Sequence, residues 1–369
     1  MKIIFVSNIS WALFNFRRAL MSEIKNRGHE IIFCAAYDDY TPKLQDLGFR
    51  YIPIALERKG MNVLKDLSLF FSLIRIYKKE KPDWIYQNSI KPNIYGTIAA
   101  HLTGCRCINT ISGLGYLFIR ESFLSNLIRI LYKLANSYAK KIFFQNKDDL
   151  QLFLDNKLID ARKCCLVAGS GVNTELFRPD CDKHPVLSKN DFTFFYLGRI
   201  LWDKGIGELI EAVRILKKDY PLIKVSFMGM IDKGNPAGVS DFQIQEWERE
   251  GLIKYLGEVV DIRPYLASCD CVVLPSYREG IPKTLLEASA MELPVIATDV
   301  PGCRDVVEHG VTGFLVNVKD AQALAKAMEK MIKMTEFQKK EMGRNGRAKV
   351  MRDYSESSVI KTYCAQIGL

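Results

Sequence analysis

Histidines are scarce in this sequence, and its cysteines do not follow the spacing of metal or redox sites. The four histidines are scattered and give no metal-ligand pattern: His29, His101, His184 and His309. None of the ten cysteines forms a CxxC motif, and the close pairs are Cys105/Cys107, Cys164/Cys165 and Cys269/Cys271. In a chain of this length such cysteines are typical of reduced, mostly buried cytosolic thiols. We therefore expect a cytoplasmic protein without a structural metal.

Long apolar runs are also missing. Charged residues interrupt the longest apolar stretches well short of the roughly 20 residues that span a bilayer. The first apolar segment, Lys2–Ser7, is short and leads directly into polar residues, so no signal peptide is expected. Both features disfavour a helical membrane protein.

Motifs for dinucleotides and for metal-bound nucleotides are absent or misplaced. The residues after the first strand, Ser7–Arg18, contain no GxGxxG, which disfavours an NAD-dependent enzyme. A DxD motif occurs at Asp180-Cys-Asp182, but it lies in a polar segment and not at the end of an apolar strand. We interpret it as coincidental and expect no cofactor. Aromatic and basic residues are not interleaved along an exposed sheet, so nucleic acid is not an expected partner.

Length and charge restrict what remains. The chain has 369 residues, of which 48% are apolar and 25% charged, as in a soluble globular protein with two similar domains. Its formal net charge of +10 favours an anionic partner. With nucleic acid disfavoured, the candidates are an acidic membrane surface and a phosphorylated small molecule.

Apolar strand-like runs alternate with amphipathic helical runs in two series along the chain. The first series extends from Lys2–Val6 to Lys141–Gln145, and the second from Phe192–Leu197 to Gly313–Val316. Such alternation predicts parallel sheets that are covered by helices on both faces. The predicted fold class is α/β, with two facing, Rossmann-like, doubly wound domains and a cleft between them.

The predicted domain ranges follow from a polar, proline-containing segment, Arg178–Pro185, that separates the two series. We assign residues 1–178 to the first domain and residues 186–350 to the second. The final run, Tyr354–Ile367, has a helical pattern, and we expect residues 351–369 to pack back on the first domain.

One segment combines a strand, a tight loop and the start of a helix. The apolar run Cys271–Pro275 is broken by Gly280 and followed by a helical pattern over Thr284–Met291. Backbone N–H groups at the start of a helix favour an anion such as phosphate. Glu279 lies in the loop and Glu287 on the helix. Two carboxylates beside a phosphate site suit a nucleotide sugar, whereas the alternative is a solvated loop Glu and a helix Glu paired with a lysine.

A second strand-loop-helix segment opens the second domain. A glycine turn at Gly198 follows the strand, and Arg199 and Lys204 lie five residues apart before the next helix. A guanidinium that binds oxygens in pairs and a compact ammonium together suit a diphosphate. The alternative is a pair of surface cations that flank a turn.

Several basic features lie in the first domain. The predicted helices Leu64–Lys79 and Phe123–Lys141 are amphipathic and rich in lysine and arginine. Each helix alone favours an apolar stripe that faces the core. Because both lie in one domain of a basic chain, docking on a membrane surface is an equal alternative. Arg17 and Arg18, beyond the tip of the first strand, are candidates for contact with an anionic acceptor, or are solvated.

These motifs together resemble the retaining glycosyltransferases of family 4, which have the two-domain GT-B fold. The resemblance covers nearly the whole chain. It is carried by Val167–Asn173, Phe177–Pro179, Leu197–Gly205, Tyr255–Gly257, Tyr265–Asp270, Glu279–Glu287 and Val311–Leu315. Within the family, three segments are similar to bacterial N-acetylgalactosaminyltransferases that extend saccharides on undecaprenyl diphosphate: Lys91–Asn93, Asn109–Phe118 and Leu201–Gly205.

The resemblance implies a role for each site residue. Glu279 would lie beside the donor sugar, and it would form the catalytic set with Lys204 and Arg199. Glu287 would bind the ribose hydroxyls. The other nucleotide-sugar contacts would come from Gly198, Arg199, Lys204, Gly280, Ile281, Pro282 and Thr284. Acceptor contacts would come from Arg17, Arg18, Lys91 and Ser112.

The sequence departs from the family pattern at two positions. Asn88 and Ser112 stand where many members have a histidine. No general base is evident, which fits a front-face retaining mechanism in which the leaving diphosphate accepts the proton. Positioning, and neutralisation of the departing UDP by Lys204 and Arg199, would then carry the chemistry.

The resemblance implies transfer of a sugar from a UDP-sugar to an undecaprenyl-diphosphate-linked saccharide. The sugar would be an N-acetylhexosamine such as GalNAc, and the product an O-antigen, capsule or glycan intermediate. The enzyme would need no metal and would be peripheral on the cytoplasmic face of the plasma membrane. Two alternatives stay open: a UDP-sugar 2-epimerase of the same architecture, and a non-catalytic nucleotide-sugar-binding subunit.

Overall fold

The computed structural model describes residues 1–56, 62–113, 123–180, 191–232 and 235–369, except for the side chains of 123–125. The chain forms two compact units, each with one parallel sheet. The first unit comprises Met1–Ser170 and Ser357–Leu369, and the second comprises Gly171–Glu356. Among the described residues, no helix is both long and apolar enough to cross a membrane.

The first unit has seven described strands: β1 (Lys2–Ile9), β2 (Glu30–Ala36), β3 (Arg50–Pro53), β4 (Trp84–Asn88), β5 (Cys107–Ile111), β6 (Lys141–Phe144) and β7 (Cys164–Leu166). They pair in the order β3-β2-β1-β4-β5-β6-β7. Its helices are α1 (Ser10–Asn26), α2 (Thr41–Asp46), α3 (Val63–Glu80), α4 (Thr97–Leu102), α5 (Phe123–Tyr138) and α6 (Lys147–Asp155). A π-helical turn, Pro92–Gly96, precedes α4.

Successive residues of β1 are buried on opposite faces of this sheet. Ile4 and Val6 belong to one apolar cluster, and Ile3 and Phe5 belong to another. Because side chains alternate along a strand, the two clusters mean that both faces of the sheet are covered. The predicted covering of the sheet on both faces is therefore confirmed for this unit.

The C-terminal helix, α14 (Glu356–Ala365), completes one of these clusters. The ring centroids of Tyr363 and Phe143 lie 4.3 Å apart. The Tyr86 hydroxyl donates a hydrogen bond to the Tyr363 carbonyl over 3.2 Å. The last residues of the chain, Ser357–Leu369, thus pack on the first unit.

The second unit has six described strands: β8 (Thr193–Leu197), β9 (Lys224–Met228), β10 (Lys254–Tyr255), β11 (Cys271–Leu274), β12 (Val295–Thr298) and β13 (Gly313–Val316). They pair in the order β10-β9-β8-β11-β12-β13. The helices are α7 (Ile206–Leu216), α8 (Asp241–Arg249), α9 (Arg263–Leu266), α10 (Lys283–Ala290), α11 (Cys303–Val306), α12 (Ala321–Lys333) and α13 (Glu336–Asp353).

The two units divide at different residues from those that the sequence predicts. The first unit ends at Ser170 and not at 178, and residues 351–356 belong to the second unit. The reason is a backbone pairing, since Val172 N donates to the Tyr354 carbonyl and Glu356 N to the Val172 carbonyl, each over 3.0 Å. Of the predicted linker, only residues 178–180 lie within the described ranges.

Candidate functional site

The strand order of the second sheet creates a switch point between β8 and β11. β8 is the first strand of the second unit along the chain, yet it lies in the middle of the sheet between β9 and β11. Connections from two such neighbours leave toward opposite faces, and the loops at their carboxyl ends border a crevice where α/β sheets bind ligands. The loop over residues 198–205 follows β8, and the loop over residues 275–282 follows β11. The two motifs recognised in the sequence therefore meet at this crevice.

Glycines allow the backbone segments around this crevice to approach closely. Gly205 has a φ of +72°, and a Cβ there would lie 2.1 Å from the carbonyl oxygen of Pro275. Gly302 has a φ of +82°, and a Cβ there would lie 2.1 Å from the carbonyl oxygen of Gly280. Any larger residue would force these segments apart and would also strain the backbone.

Lys204 and Glu279, one from each loop, form an ion pair. Lys204 Nζ lies 2.6 Å from Glu279 Oε1, and Ser276 Oγ donates to the same oxygen over 2.7 Å. Both charged side chains are only 15% exposed. The attraction between charges is stronger where water is partly excluded, so each side chain fixes the position of the other. The pair also anchors the loop that continues through Gly280 and Ile281.

Arg199 is the more exposed cation of the crevice. Its Nη1 lies 3.9 Å from Asp232 Oδ2, and its side chain is 43% exposed. The Tyr196 hydroxyl donates to the Arg199 carbonyl over 2.7 Å, which fixes the backbone directly after Gly198. The guanidinium is thus held on a defined backbone, and its long contact with Asp232 leaves it accessible to an anion.

The helix α10 begins directly beside β8. Pro282 precedes it with extended backbone (φ −73°, ψ 113°). The Thr284 hydroxyl donates to the Leu197 carbonyl over 3.0 Å and so links the first turn of α10 to the end of β8. Gly280, Ile281 and Pro282 therefore lie at the positively polarised end of a helix that is fixed to the neighbouring strand.

Glu287 lies on the second turn of α10 and is only 7% exposed. Burial raises the pKa of its carboxyl group, and Lys283, whose Nζ lies 3.5 Å from Oε1, counteracts part of that shift. The Lys283 ion pair therefore compensates the buried carboxylate only in part. The carboxylate favours a ligand that donates hydrogen bonds to it.

Sequence reasoning missed three residues that shape this site. Ser276 binds Glu279, and the Tyr277 hydroxyl donates to Glu208 Oε1 over 2.7 Å. Gly229 has a φ of +137°, and a Cβ there would lie 2.0 Å from the Gly198 carbonyl oxygen. A signal for Gly229 was present, because it follows β9 as Gly198 follows β8. The contacts of Ser276 and Tyr277 are formed by side chains whose orientation the sequence does not reveal.

The two arginines that were predicted to bind the acceptor differ in their exposure to solvent. Arg17 is buried in the first unit, with its guanidinium carbon 5.1 Å from the ring centroid of Tyr363. Arg18 is exposed, with its guanidinium carbon 4.6 Å from the ring centroid of Phe14. This placement favours a packing role for Arg17 over the predicted acceptor contact, because the side chain is engaged by the C-terminal helix. Arg18 keeps access to solvent.

The two other predicted acceptor residues follow strands β4 and β5. Lys91 Nζ lies 2.7 Å from Asp66 Oδ1, and both side chains are largely buried. Lys91 therefore links the residues after β4 to α3, which favours a structural role. Ser112 is exposed directly after β5.

A metal centre is not evident in the described part of the chain. No group of three or more His, Cys, Asp or Glu side chains is arranged there to hold an ion. The Asp182 of the DxD motif lies outside the described residues.

Two protein-family models match the chain. The family described as "Glycosyl transferases group 1" matches residues 178–349, and the family "Glycosyl transferase 4-like" matches residues 2–146. One relative is the N,N'-diacetylbacillosaminyl-diphospho-undecaprenol alpha-1,3-N-acetylgalactosaminyltransferase of Campylobacter jejuni, which is 30% identical over 90% of this chain and 89% of its own length. Another is an Escherichia coli UDP-Gal:alpha-D-GlcNAc-diphosphoundecaprenol alpha-1,3-galactosyltransferase, 27% identical over 73% of this chain and 71% of its own length.

Solved structures share the fold over the full length. The chain matches a glycosyltransferase of Rickettsia africae with a TM-score of 0.81 and 21% identity, covering 99% of this chain and 97% of that one. It matches the Anabaena protein HepE in complex with UDP with a TM-score of 0.80 and 20% identity, covering 100% and 99%. The two parallel α/β domains are thus those of the GT-B fold, as the sequence predicted. From these matches and the identity to the Campylobacter jejuni enzyme, the chain belongs to the family 4 glycosyltransferases.

Proposed function

We propose that this glycosyltransferase moves an N-acetylhexosamine, such as GalNAc, from a UDP-sugar to an undecaprenyl-diphosphate-linked saccharide. The observation that carries the proposal is the Lys204–Glu279 pair at the switch point of the second sheet, with Arg199 in the same loop as Lys204. The names of the relatives support the substrate classes: one transfers N-acetylgalactosamine to a diphospho-undecaprenol saccharide, and another uses UDP-Gal. The product would be an intermediate of an O-antigen, a capsule or another glycan.

Each residue of the crevice has a proposed role in donor binding. Lys204 and Arg199 neutralise the diphosphate, and Glu279 contacts the sugar. The buried Glu287 accepts hydrogen bonds from the ribose hydroxyls, which adds to the partial compensation of its charge by Lys283. The backbone of Gly198, Gly280, Ile281 and Pro282, together with Thr284, completes the site at the start of α10.

We infer retention of the anomeric configuration without a metal and without a nucleophile from the protein. The Glu279 carboxylate is held by Lys204 and Ser276, which fits a positioning group better than a mobile nucleophile. The bond from the anomeric carbon to the diphosphate oxygen breaks, and the acceptor hydroxyl attacks from the same face. The leaving diphosphate oxygen takes the acceptor proton, while Lys204 and Arg199 stabilise the charge on UDP.

We further infer that one face of the first unit rests on the membrane that holds the lipid acceptor. On α3, Leu64, Leu67 and Phe71 are exposed and lie on one side of the helix, and Leu64 is 79% exposed. On α5, Leu127, Ile130 and Leu134 repeat this spacing and are also exposed. α4 contacts both α3 and α5, so the two helices share a neighbour in the first unit.

The charges of this face suit an anionic bilayer. Exposed basic side chains on or beside α3 and α5 are Lys65, Arg75, Lys78, Lys79, Lys133 and Lys140. A surface pocket of about 310 Å³ lies beside α5, lined by Asn126, Arg129, Ile130, Lys133, Asn156 and Leu158. Cations around apolar side chains are typical of surfaces that bind anionic lipid headgroups. This supports a peripheral location on the cytoplasmic face of the plasma membrane.

Replacement of two crevice residues tests the proposed reaction. Lys204→Ala and Glu287→Ala should each reduce transfer by roughly 100-fold or more, because removal of one preorganised charged contact costs about 3 kcal/mol. UDP binding should weaken in both variants while the fold is retained. Transfer is measured as UDP release from UDP-Glc, UDP-Gal, UDP-GlcNAc and UDP-GalNAc with lipid-diphosphate acceptors.

Lys224→Ala is the matched control, because Lys224 forms an ion pair with Asp191 elsewhere in the second unit. It should behave as the wild type. Wild-type transfer in both crevice variants would show that the site assignment is wrong. Formation of an epimer without acceptor would favour the 2-epimerase, and UDP-sugar binding without turnover on any acceptor would favour a non-catalytic subunit.

A further inference from the structure

Three side chains at the ends of β1 and β4 hold buried polar atoms without partners. Ser7 Oγ, Asn8 Oδ1 and Asn88 Oδ1 are shielded from solvent and make no hydrogen bond within the described structure. Ser7 is 0% exposed and Asn88 is 8% exposed. A buried polar group without a partner destabilises a fold, and in a native structure it commonly marks a site that a ligand or water completes.

These atoms differ from the other unpartnered amides in the core of the first unit. Gln87, Asn93 and Asn136 each lack a partner at one amide atom but form a hydrogen bond through the other: Gln87 Nε2 to Thr97 Oγ1, Asn93 Nδ2 to the Thr110 carbonyl, and Asn109 Nδ2 to Asn136 Oδ1. Ser7, Asn8 and Asn88 have no such anchoring bond among the described residues. Within the part of the chain that the structure describes, no side-chain hydrogen bond explains their placement.

The register of the sheet brings these residues together. β1 is parallel to β4, with Val6 opposite Gln87, so Ser7 and Asn88 are the next residues along two neighbouring strands. β1 lies between β2 and β4, and this makes its carboxyl end the switch point of the first sheet. Adjacent strands are about 4.8 Å apart, so one small ligand reaches both.

The backbone is irregular at the carboxyl ends of β1 and β4, and irregularities of this kind change the direction of side chains. The pairing of β1 with β2 shifts register between Val6 and Ile9, which places a bulge at Ser7 and Asn8. Ser89, directly after Asn88, has a φ of +84°, which is rare for any residue other than glycine. Bulges and strained residues of this kind cluster at functional sites.

The chemistry of the three atoms selects the ligand class. Carboxamide oxygens accept hydrogen bonds, and a hydroxyl both donates and accepts. Lys91, the nearest cation in sequence to Asn88, is already neutralised by Asp66. Amide oxygens that accept hydrogen bonds suit a ligand that donates them, such as a sugar hydroxyl or an N-acetyl N–H. A phosphate, whose oxygens are acceptors, would leave both amide oxygens without a donor.

We propose that Ser7, Asn8 and Asn88 form a subsite for the uncharged sugar of the acceptor. This inference rests on the proposed function for the existence of a saccharide acceptor. Asn8 and Asn88 then determine acceptor specificity, and the lipid diphosphate binds elsewhere. Without a ligand, the unpartnered atoms lower the stability of the fold. This cost follows from a site that forms its hydrogen bonds with the ligand and not with the protein.

Asn8→Ala and Asn88→Ala in the full chain test the subsite. Each should raise the KM for a polyprenyl-diphosphate-linked saccharide by roughly three- to tenfold, the range expected for one lost hydrogen bond, and leave the KM for the UDP-sugar unchanged. The melting temperature should stay equal or rise, because an unpartnered atom is removed. Asn26→Ala is the control, since Asn26 is an exposed asparagine at the last residue of α1, away from the carboxyl ends of β1 and β4.

A binding measurement tests this proposal independently of the proposed reaction. The dissociation constant of the saccharide acceptor, measured without any UDP-sugar, should rise by the same factor in both variants. Unchanged acceptor affinity in folded variants would overturn the subsite, and so would a lower melting temperature with normal kinetics or a change confined to the UDP-sugar. Acceptor binding that depends on Asn8 and Asn88 without any turnover would support the subsite and contradict the proposed reaction. Asn8, which is less buried than Asn88, keeps the test valid if Asn88→Ala does not fold.

Discussion

At the residue scale, the candidate site consists of charges that are partly withdrawn from water. Lys204 and Glu279 neutralise each other over 2.6 Å. A diphosphate that enters the crevice would share Lys204 with Glu279 or replace it, because all these groups compete for the same ammonium protons. Ser276 would continue to hold the Glu279 carboxylate in either case. The ion pair fixes both side chains, which are the proposed donor contacts.

The identity of these residues could be predicted from the sequence, but their partners could not. Arg199, Lys204, Glu279 and Glu287 occur at fixed spacing in strand-loop-helix segments, and such spacing is visible in a single sequence. The Lys204–Glu279 contact joins residues 75 positions apart. Only the pairing of β8 with β11 brings them together. The burial of Arg17 against Tyr363 escaped prediction for the same reason.

Glu287→Gln should show that the buried carboxylate is kept at the expense of stability. Its folded-state pKa is raised, so the folded protein binds the proton more tightly than the unfolded chain does. Its contribution to stability is therefore greatest at acid pH and is lost as the pH rises through the folded-state pKa. Glutamine has no such loss, so the variant's stability relative to the wild type should increase from acid to neutral pH, while UDP binding weakens.

Urea unfolding from about pH 4 to about pH 8 measures this difference in the free energy of unfolding. Glu246→Gln, at an exposed position of α8, is the control and should show no such trend. A variant whose relative stability decreases toward neutral pH would show that Lys283 fully compensates Glu287.

At the element scale, α10 is supported by a helix that the sequence pattern did not predict. α13 buries Met342 and Val350 together with Gly343 and Gly346, so half of its buried residues are glycine. A Cβ on Gly343 would lie 1.8 Å from the Glu292 carbonyl oxygen, directly after α10. Apolar periodicity cannot reveal a helix that packs through its backbone. Arg347 adds a hydrogen bond to the Ala290 carbonyl at the end of α10.

The same scale explains why α3 and α5 were ambiguous. Both helices bury one apolar row, which includes Leu69 and Leu73 on α3 and Ile128 on α5. A second apolar row on each remains exposed. Composition and periodicity record the total apolar width of a helix, whereas the division between core and solvent depends on the neighbouring elements.

Charge introduced on α3 should abolish membrane binding without loss of stability. We expect the double variant Leu64→Asp/Phe71→Asp to bind anionic vesicles at least about tenfold more weakly, because it removes two apolar side chains from the contact and adds repulsion. Its melting temperature should match the wild type, since both side chains are exposed. The measurement is co-sedimentation with vesicles that contain phosphatidylglycerol.

Phe337→Asp is the matched control, because Phe337 is similarly exposed but lies in the second unit. It should bind vesicles as the wild type does, and wild-type binding should fall with added salt. Unchanged binding by the double variant would show that the exposed face of α3 is not the membrane contact.

At the scale of the whole molecule, the chain ends in the unit where it began. α14 contributes Val359, Tyr363, Cys364 and Ile367 to the core of the first unit, although it follows the whole second unit in the sequence. A C-terminal helix that packs on the first domain was an expectation of the sequence pattern. Its anchor, Tyr363, could be recognised only in the folded chain.

Tyr363→Ala should destabilise the first unit specifically. Loss of a fully buried aromatic ring costs roughly 3 kcal/mol or more, which lowers a melting temperature by about 6 °C or more in a unit of this size. The transition of the second unit, identified by its stabilisation with UDP, should stay unchanged. Differential scanning calorimetry measures both transitions. Tyr37→Ala, at an exposed tyrosine of the same unit, should leave both in place, and an unchanged first transition in Tyr363→Ala would contradict the role of α14.

The sequence by itself determined the α/β class, the two-domain organisation and the family, and it supplied the proposed donor-site residues. Each of these depends on local periodicity and on short motifs, which can be recognised in the amino-acid sequence alone. The tertiary structure decided the unit boundaries at Ser170 and Glu356, the partner of Lys204 and the burial of Arg17. It also decided which oxygens at the ends of β1 and β4 lack partners. These features depend on contacts between residues far apart in the chain, and strand pairing establishes such contacts only when the sheet has formed.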